Sequence, residues 1–125
     1  PLNVETRGLI DASALSTMKR GSYLINVARG PVVCERDLVQ ALQSGWLAGA
    51  GLDVTETEPL PLESPLWEMP NVLITPHVGA QAADRLDVTT QLFCDNLRRY
   101  LAGERLVNIV DKRYGFPRPE DRLPV

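Results

Sequence analysis

Three short apolar runs, each about the length of one β-strand, alternate with more polar segments along the chain. They are rich in β-forming or small residues and lie at 22–28, 48–54 and 71–75. Short apolar runs bounded by turn-forming residues predict buried strands. A fourth run, at 106–110, predicts one further short strand.

Helical patterns lie between and after these runs. Asp11 is a capping residue, and the helix-tolerant residues behind it predict a short helix over 11–18. Apolar side chains on one face predict a second helix over 35–44, which Gly45 ends. Apolar residues at helical spacing predict a long third helix over 82–102.

Prolines interrupt the pattern in two places. Four of them within 55–70 predict a long ordered loop rather than regular structure. Others stand among charged residues after Asp111, where we expect the tail to form an extended arm.

The order of the predicted elements defines the fold class. Strand, helix, strand, loop, strand and helix is typical of an α/β protein with a parallel sheet and crossover connections. A complete dinucleotide fold also needs an earlier half with a Gly-x-Gly-x-x-Gly turn, and the sequence has no such motif. We therefore expect the second half of a doubly wound (Rossmann) sheet. The chain opens without Met, so we expect it to be part of a longer protein.

Composition narrows the classes of partner. The 125 residues are 44% hydrophobic and carry a formal net charge of −3, with Lys and Arg scattered along the chain. This argues against a nucleic acid or an anionic membrane as the partner. No apolar stretch approaches the roughly 20 residues of a transmembrane helix. We expect Cys34 and Cys94 to be reduced thiols of a cytoplasmic protein, and a disulfide or a metal site is disfavoured.

Three candidate catalytic side chains, Arg29, Glu58 and His77, follow the predicted strands. The carboxyl ends of parallel strands meet at one edge of a sheet, where ligands bind. A guanidinium suits a carboxylate, an imidazole exchanges a proton near neutral pH, and a carboxylate beside it would orient the ring and favour the imidazolium. Each also has a structural reading, namely a surface arginine, a loop histidine with a backbone partner and a solvated acidic loop.

Asp53 is the last polar residue of the second predicted strand. Its carboxylate is placed to accept a hydrogen bond from an amide such as a nicotinamide carboxamide, and the alternative is a turn-forming Asp. Trp46, Trp67 and Tyr100 are assigned to packing rather than to catalysis.

Beside these residues, six stretches resemble the D-isomer-specific 2-hydroxyacid dehydrogenase family in its C-terminal part. They occur in the family's order and lie at 1–10, 23–30, 49–54, 58–61, 64–67 and 70–79. The chain is similar to glyoxylate/hydroxypyruvate reductases and phosphoglycerate dehydrogenases. In formate dehydrogenases of this family a Gln replaces the Glu, so Glu58 counts against that activity.

The resemblance implies a role for each candidate. Arg29 would bind the substrate carboxylate, His77 would be the acid/base and Glu58 would pair with His77. The residues implied to line the nicotinamide side of NAD or NADP are Val27, Ala28, Arg29, Asp53, His77 and Gly79.

The resemblance also implies a domain arrangement. Residues 1–81 would complete an NAD(P)-binding domain, 82–103 would be a crossover helix, and 104–125 would return to a substrate domain. The full-length protein is implied to be a homodimer.

Three functional hypotheses follow from the sequence. The first is hydride transfer between NAD(P)H and the 2-carbon of a small 2-keto or 2-hydroxy acid, with glyoxylate or hydroxypyruvate ahead of phosphoglycerate. The second is a corepressor-like module that senses NAD(H) without turnover. The third is a non-functional remnant of such a protein, because half a cofactor domain leaves one edge of its sheet without a neighbouring strand. We expect the isolated residues 1–125 to be inactive and prone to aggregate.

Overall fold

The computed structural model describes residues 1–121, and the last four positions of the predicted tail, 122–125, lie outside the described residues. The chain divides into two compact units. The first is Pro1–Gly79, and the second begins at Ala80.

The first unit contains a three-stranded parallel sheet, as the sequence predicts. Its strands are β1 (Tyr23–Asn26), β2 (Gly49–Leu52) and β3 (Val72–Ile74), in the spatial order β1-β2-β3. Helix α1 (Ala12–Thr17) precedes the sheet and α2 (Glu35–Gln43) connects its first two strands. The predicted α/β class is therefore confirmed, and each strand is shorter than its apolar run.

Helix ends follow the local sequence. Asp11 caps α1 through its side chain, which accepts a hydrogen bond from the Ala14 amide. Gly45 follows α2 with φ +69°, the left-handed conformation that glycine adopts without steric cost. Asp37 within α2 is buried and accepts a hydrogen bond from the Ala12 amide at 2.9 Å, which joins the two helices.

The core lies on one face of the sheet, between the strands and the two helices. Alternation along the strands sends Leu24 on β1 and Ala50 and Leu52 on β2 into this core. The remaining buried apolar members of the cluster come from the helices and loops: Leu15, Val33, Leu38, Leu42, Leu47, Leu60 and Leu66. Burying a leucine side chain contributes about 1.5–3 kcal/mol, so this cluster holds the strand ends in place.

The opposite face of the sheet is apolar and exposed. Tyr23 and Ile25 on β1 are 69% and 73% exposed, and Leu73 on β3 is 69% exposed. In the register of the sheet Ile25 lies beside Gly51, and Gly51 lies beside Leu73. One face of the sheet is therefore covered within the first unit and the other is not.

The proline-rich loop contains more regular structure than its composition indicates. Residues 55–70 were predicted to lack regular structure, but Pro65–Glu68 form a turn of 3₁₀ helix. The side chain of Ser64 caps this turn by accepting a hydrogen bond from the Leu66 amide, and Leu66 is buried in the core. Capping and burial of one leucine give this turn its order.

The second unit contains α3 (Arg85–Leu101) and a small hairpin of β4 (Val110–Asp111) and β5 (Phe116–Pro117). The long predicted helix is confirmed, although it starts three residues later than its apolar pattern. None of its residues is buried. No helix within residues 1–121 is long and apolar enough to cross a membrane.

The predicted strand at 106–110 is wrong for most of its length. The backbone of Val107 is satisfied by the side chain of Asn96, which accepts from its amide at 2.9 Å and donates to its carbonyl at 3.1 Å. Asn108 adopts φ +56°, which no strand residue has. Only Val110 of this run belongs to a strand.

The extended arm predicted after Asp111 is also wrong for the described residues. The chain turns back after β4, and Pro119–Asp121 close it with a short 3₁₀ helix. Asp111 organises the turn, because its side chain accepts from the Arg113 amide at 2.9 Å and from Arg118 Nε at 2.7 Å. These two groups hold the pKa of Asp111 below its usual range.

The domain division of the chain stays a prediction. It assigns an NAD(P)-binding half to 1–81, a crossover helix to 82–103 and a return segment to 104–125.

Cys34 and Cys94 are both free thiols.

Candidate active site

The three strands of the sheet end at the same edge, and each leads into a candidate residue. Arg29 follows β1, Asp53 follows β2, and His77 follows β3 after a short link. Parallel pairing places these strand ends side by side. The sheet thus gathers a guanidinium, a carboxylate and an imidazole along one edge.

Asp53 is buried and organises the turn after β3. Its Oδ1 accepts from the Thr75 hydroxyl at 2.6 Å and from the Val78 amide at 2.8 Å, and its Oδ2 accepts from the Gly79 amide at 2.7 Å. The Thr75 hydroxyl and the two amides hold the pKa of Asp53 below its ordinary value of 3.8. Asp53 is therefore ionised at neutral pH and holds the Thr75 side chain before His77 and the backbone after it.

His77 has φ +54°, in the left-handed region that few non-glycine residues occupy. Such a conformation costs on the order of 1–2 kcal/mol for a residue with a Cβ. The hydrogen bonds of Asp53 to the next two amides offset this cost. The imidazole is therefore presented from a turn whose backbone is fixed by a buried carboxylate.

Glu58 and His77 form the hydrogen-bonded pair that the sequence predicts. His77 Nδ1 and Glu58 Oε2 are 2.8 Å apart, and Glu58 Oε1 accepts from the Thr55 amide at 3.2 Å. The hydrogen bond from His77 holds the pKa of Glu58 below its ordinary value of 4.5. Both side chains are about two-fifths exposed, so the pair adds at most about 1 kcal/mol of stability and mainly orients the ring.

The turn that carries Arg29 is fixed by Asn26, a buried residue at the end of β1. Its side-chain amide donates to the Arg29 carbonyl at 3.1 Å, and its oxygen accepts from the Ala28 amide at 3.1 Å. Arg29 itself is exposed, and its Nη1 donates to the Ala28 carbonyl at 2.7 Å. The backbone of this turn is thus held from within the sheet while the guanidinium remains accessible.

A cleft of about 650 Å³ lies within the first unit beside these strand ends. The structure brings Asp53, Glu58 and His77 together in its lining, whereas Arg29 is not among the lining residues. Trp67, which the sequence assigned to packing, lines the same cleft. The cleft therefore combines one imidazole and two carboxylates with an aromatic wall.

The residues implied to bind the cofactor include three neighbours at this edge. A Cβ at Gly79 would stand 2.8 Å from Asp53 Oδ2 and 3.9 Å from Val27 Cβ, so the glycine keeps this surface open. Val27 is exposed, and Ala28 lies between it and Arg29 in the same turn. The exposed Val27 side chain and the space that Gly79 keeps open fit the flat face of a nicotinamide ring.

Two residues besides Trp67 shape the site although the sequence pattern does not single them out. Asn26 reads as an ordinary strand-end residue, although a buried side-chain amide requires partners and so carries a signal. Thr75 stands two residues before His77, and β-branched residues are common in strands for reasons unrelated to function. Within residues 1–121, no group of three or more His, Cys, Asp or Glu side chains is placed to hold a metal ion.

A parallel sheet with an acid–base pair at its carboxyl edge defines a ligand-binding domain of the doubly wound α/β class. The family model described as D-isomer specific 2-hydroxyacid dehydrogenase, NAD binding domain, matches residues 1–79. The chain belongs to the D-isomer specific 2-hydroxyacid dehydrogenase family, as the sequence motifs predict.

Known proteins of the family are similar over nearly the whole chain. A glyoxylate reductase of Thermofilum pendens is 42% identical over 123 residues, which are 98% of this chain and 36% of that protein. A D-isomer specific 2-hydroxyacid dehydrogenase of Xanthobacter autotrophicus, solved in complex with NADPH and MES, is 52% identical to this chain, with a TM-score of 0.86. The match includes 93% of this chain and 47% of the chain of that protein.

A second solved relative is an NADPH-dependent glyoxylate/hydroxypyruvate reductase of Sinorhizobium meliloti in complex with NADP and sulfate. It is 39% identical with a TM-score of 0.83, over 93% of this chain and 38% of its own. The chain thus spans between about a third and a half of the length of these relatives. Their similarity confirms the second half of a doubly wound sheet as the fold.

Proposed function

We propose that the protein containing this chain reduces the 2-carbonyl of a small 2-keto acid, with NADH or NADPH as the hydride donor. Glyoxylate and hydroxypyruvate are the proposed substrates. The observation that carries the proposal is the His77–Glu58 pair, 2.8 Å apart in a cleft at the carboxyl edge of the sheet. The names of the relatives from T. pendens and S. meliloti support the same chemistry.

His77 is proposed to be the acid that protonates the carbonyl oxygen during reduction. An ionised carboxylate can only accept hydrogen bonds, so Glu58 requires a proton on His77 Nδ1. The other ring nitrogen, Nε2, then exchanges the proton with the substrate. Glu58 balances the charge of the imidazolium and fixes the plane of the ring.

Arg29 is proposed to bind the substrate carboxylate. Among the described residues that line the cleft, Asp53 and Glu58 are carboxylates, and His77 is the one side chain that can carry a positive charge. An anionic substrate therefore needs a further positive charge. Arg29 supplies it from the neighbouring strand end, and its planar fork matches a carboxylate with two parallel hydrogen bonds.

The bound nicotinamide cofactor supplies the hydride in this proposal. Val27, Ala28 and Gly79 would provide the surface for its ring, and the Asp53 carboxylate would accept a hydrogen bond from its carboxamide. Arg29 and His77, which the family resemblance also gives to this side of the cofactor, face the substrate. Whether NAD or NADP is used depends on residues outside this chain.

The test is oxidation of NADH and NADPH by the full-length protein with glyoxylate, hydroxypyruvate and pyruvate, compared with two variants. His77→Ala removes the imidazole but also strains the turn. His77→Asn removes it while keeping a residue that tolerates the left-handed conformation. We expect both to lower kcat/KM by about a hundred- to ten-thousand-fold, the usual contribution of a general acid.

Cofactor binding without turnover of any keto acid would instead favour the alternative of an NAD(H)-sensing module. Turnover that persists in His77→Asn would remove the proposed role of His77.

The proposal for the full-length protein also includes a homodimer in the cytoplasm, in which 82–103 leads to a substrate domain.

A further inference from the structure

One aromatic side chain lines the cleft and is half exposed. Trp67 lines the same cleft as His77 and Glu58, and 49% of its surface is exposed. Tryptophan is on average a highly buried residue. A half-exposed tryptophan in a concave site is therefore placed to contact a ligand.

The orientation of the Trp67 ring is fixed. Its indole N–H donates to the Pro61 carbonyl at 2.9 Å, and its backbone amide donates to the Ser64 carbonyl in the 3₁₀ turn. The adjacent Leu66 is 1% exposed and anchors that turn in the core. Because Leu66 supplies the anchor, Trp67 presents an ordered apolar face at little entropic cost.

The lining of the cleft combines two kinds of side chain. The polar ones are Asp53, Thr55, Glu58, Thr75 and His77, and the apolar ones are Pro59, Leu60, Trp67, Ile74 and Pro76. A mixed lining of this kind suits a small ligand that has polar groups, such as the carbonyl and carboxylate of a 2-keto acid, and a further substituent that contacts an apolar surface.

We propose that Trp67 is a specificity-determining residue, whose ring is the wall that limits the size of the group attached to the 2-carbon of the keto acid. It restricts that group to ones as small as the hydrogen of glyoxylate and the hydroxymethyl group of hydroxypyruvate. This inference rests on the proposed function, because it assumes that the carbonyl is reduced beside His77. It adds a role for a side chain outside the acid–base pair.

The test compares kcat/KM for glyoxylate, hydroxypyruvate and phenylpyruvate in the full-length protein and in Trp67→Phe, Trp67→Leu and Trp67→Ala. We expect the kcat/KM for phenylpyruvate, divided by that for glyoxylate, to rise from Trp67→Phe through Trp67→Leu to Trp67→Ala. The rise in Trp67→Ala should be at least about ten-fold. One methylene in an apolar pocket already changes selectivity by roughly 10–200-fold. Leu62→Ala is the matched control, because Leu62 lies in the same loop, is 93% exposed and does not line the cleft.

Two results would overturn the inference while leaving the proposed function intact. The first is an equal change of kcat/KM for all three acids. The second is loss of folding in both Trp67→Leu and Trp67→Ala with an unchanged ratio in Trp67→Phe, because Trp67 would then support only the loop. Absence of turnover in the unaltered protein would instead refute the proposed function, and this inference with it.

Discussion

Gly30 lies directly against the backbone of Thr55. A Cβ at Gly30 would stand 1.7 Å from the Thr55 carbonyl oxygen and 2.7 Å from the Glu56 amide nitrogen. Thr55 in turn donates its amide to Glu58, which pairs with His77. The turn that carries Arg29 is thus packed against the loop that carries the acid–base pair.

The first prediction concerns this contact. Gly30→Ala forces two backbone segments apart, and overpacking of this kind costs 1–3 kcal/mol or more. We expect a lower melting temperature and a loss of at least about ten-fold in kcat/KM in the full-length protein. Thermal unfolding and steady-state kinetics measure both.

Gly51→Ala is the control for Gly30→Ala. A Cβ at Gly51 would meet only the Ile25 side chain, at 3.8 Å, which is ordinary van der Waals contact. Equal effects of the two substitutions would show that the close approach to Thr55 is not what makes Gly30 sensitive.

The second prediction concerns Asn26. Asn26→Ala removes both hydrogen bonds that fix the backbone of Ala28 and Arg29, and a lost buried hydrogen bond costs roughly 1–3 kcal/mol. Because Arg29 is proposed to bind the substrate carboxylate, we expect KM for glyoxylate to rise about ten-fold, with a smaller change in kcat. Asn71→Ala is the control, since exposed Asn71 bonds the Ala48 carbonyl at the other edge of the sheet. A fall in kcat at constant KM would contradict a role in positioning Arg29.

The sequence predicts the Glu58–His77 contact because both residues follow strands of one parallel sheet. The role of Asn26 is not predictable in the same way, because its effect depends on two backbone groups of a turn that only the folded chain brings into reach. The position of Trp67 in the cleft is not predictable for a related reason. Pattern alone treats an aromatic residue as core, and only the burial of its neighbour Leu66 shows which of the two anchors the loop.

The third prediction concerns acid stability. The pKa of Asp53 lies below its ordinary value of 3.8, so folding favours the ionised carboxylate. Its stabilisation is complete at pH values above that ordinary value and is lost as the pH falls through the lower folded-state pKa. Asp53→Asn faces a side-chain amide toward the donors of Thr75, Val78 or Gly79. We expect a lower melting temperature than wild type at neutral pH, and a difference that shrinks in acid.

Melting temperatures recorded from neutral to acidic pH test this prediction. Asp84→Asn is the control, because Asp84 is exposed and its side chain makes no capping hydrogen bond to α3. A constant difference between wild type and Asp53→Asn at all pH values would mean that the charge of Asp53 does not matter.

The fourth prediction concerns the pH dependence of activity. Glu58→Gln keeps an acceptor for His77 Nδ1 but removes the negative charge that favours the imidazolium. The hydrogen bond from His77 holds the pKa of Glu58 below its ordinary value of 4.5, so wild type loses this charge only as the pH falls through that lowered value, and the variant has no such charge to lose. We therefore expect kcat/KM of the variant to be lower than that of wild type at neutral pH, and the difference to shrink in acid. Profiles of kcat/KM against pH in the reduction direction measure this. Superimposable profiles would indicate that Glu58 only orients the ring.

The fold is predictable from the sequence where the spacing of apolar residues decides it. It is less predictable where a side chain, rather than another strand, makes the hydrogen bonds to a backbone segment. Helices α2 and α3 and the three parallel strands follow their apolar patterns. The run at 106–110 has an equally apolar pattern, but the Asn96 side chain binds the backbone of Val107, eleven positions away. The spacing of apolar residues along the chain gives no information about such a contact.

The fifth prediction concerns the isolated chain. Tyr23, Ile25 and Leu73 form an exposed apolar patch on one face of the sheet, and β1 has a partner on only one side within residues 1–121. Exposed patches and unpaired edge strands promote association between chains. We expect residues 1–125 expressed alone to aggregate and to lack activity. Light scattering and NADH titration check this.

A paired substitution separates the two causes of aggregation. Ile25→Thr combined with Leu73→Thr makes the face more polar, places at both positions a β-branched residue that suits a strand, and leaves the edge of β1 unchanged. If the apolar face drives association, the double variant stays in solution longer than the unaltered chain. If the edge of β1 drives it, the two aggregate alike. A soluble unaltered chain that binds NADH with micromolar affinity would refute both explanations, because the first unit would then be complete enough to hold its cofactor.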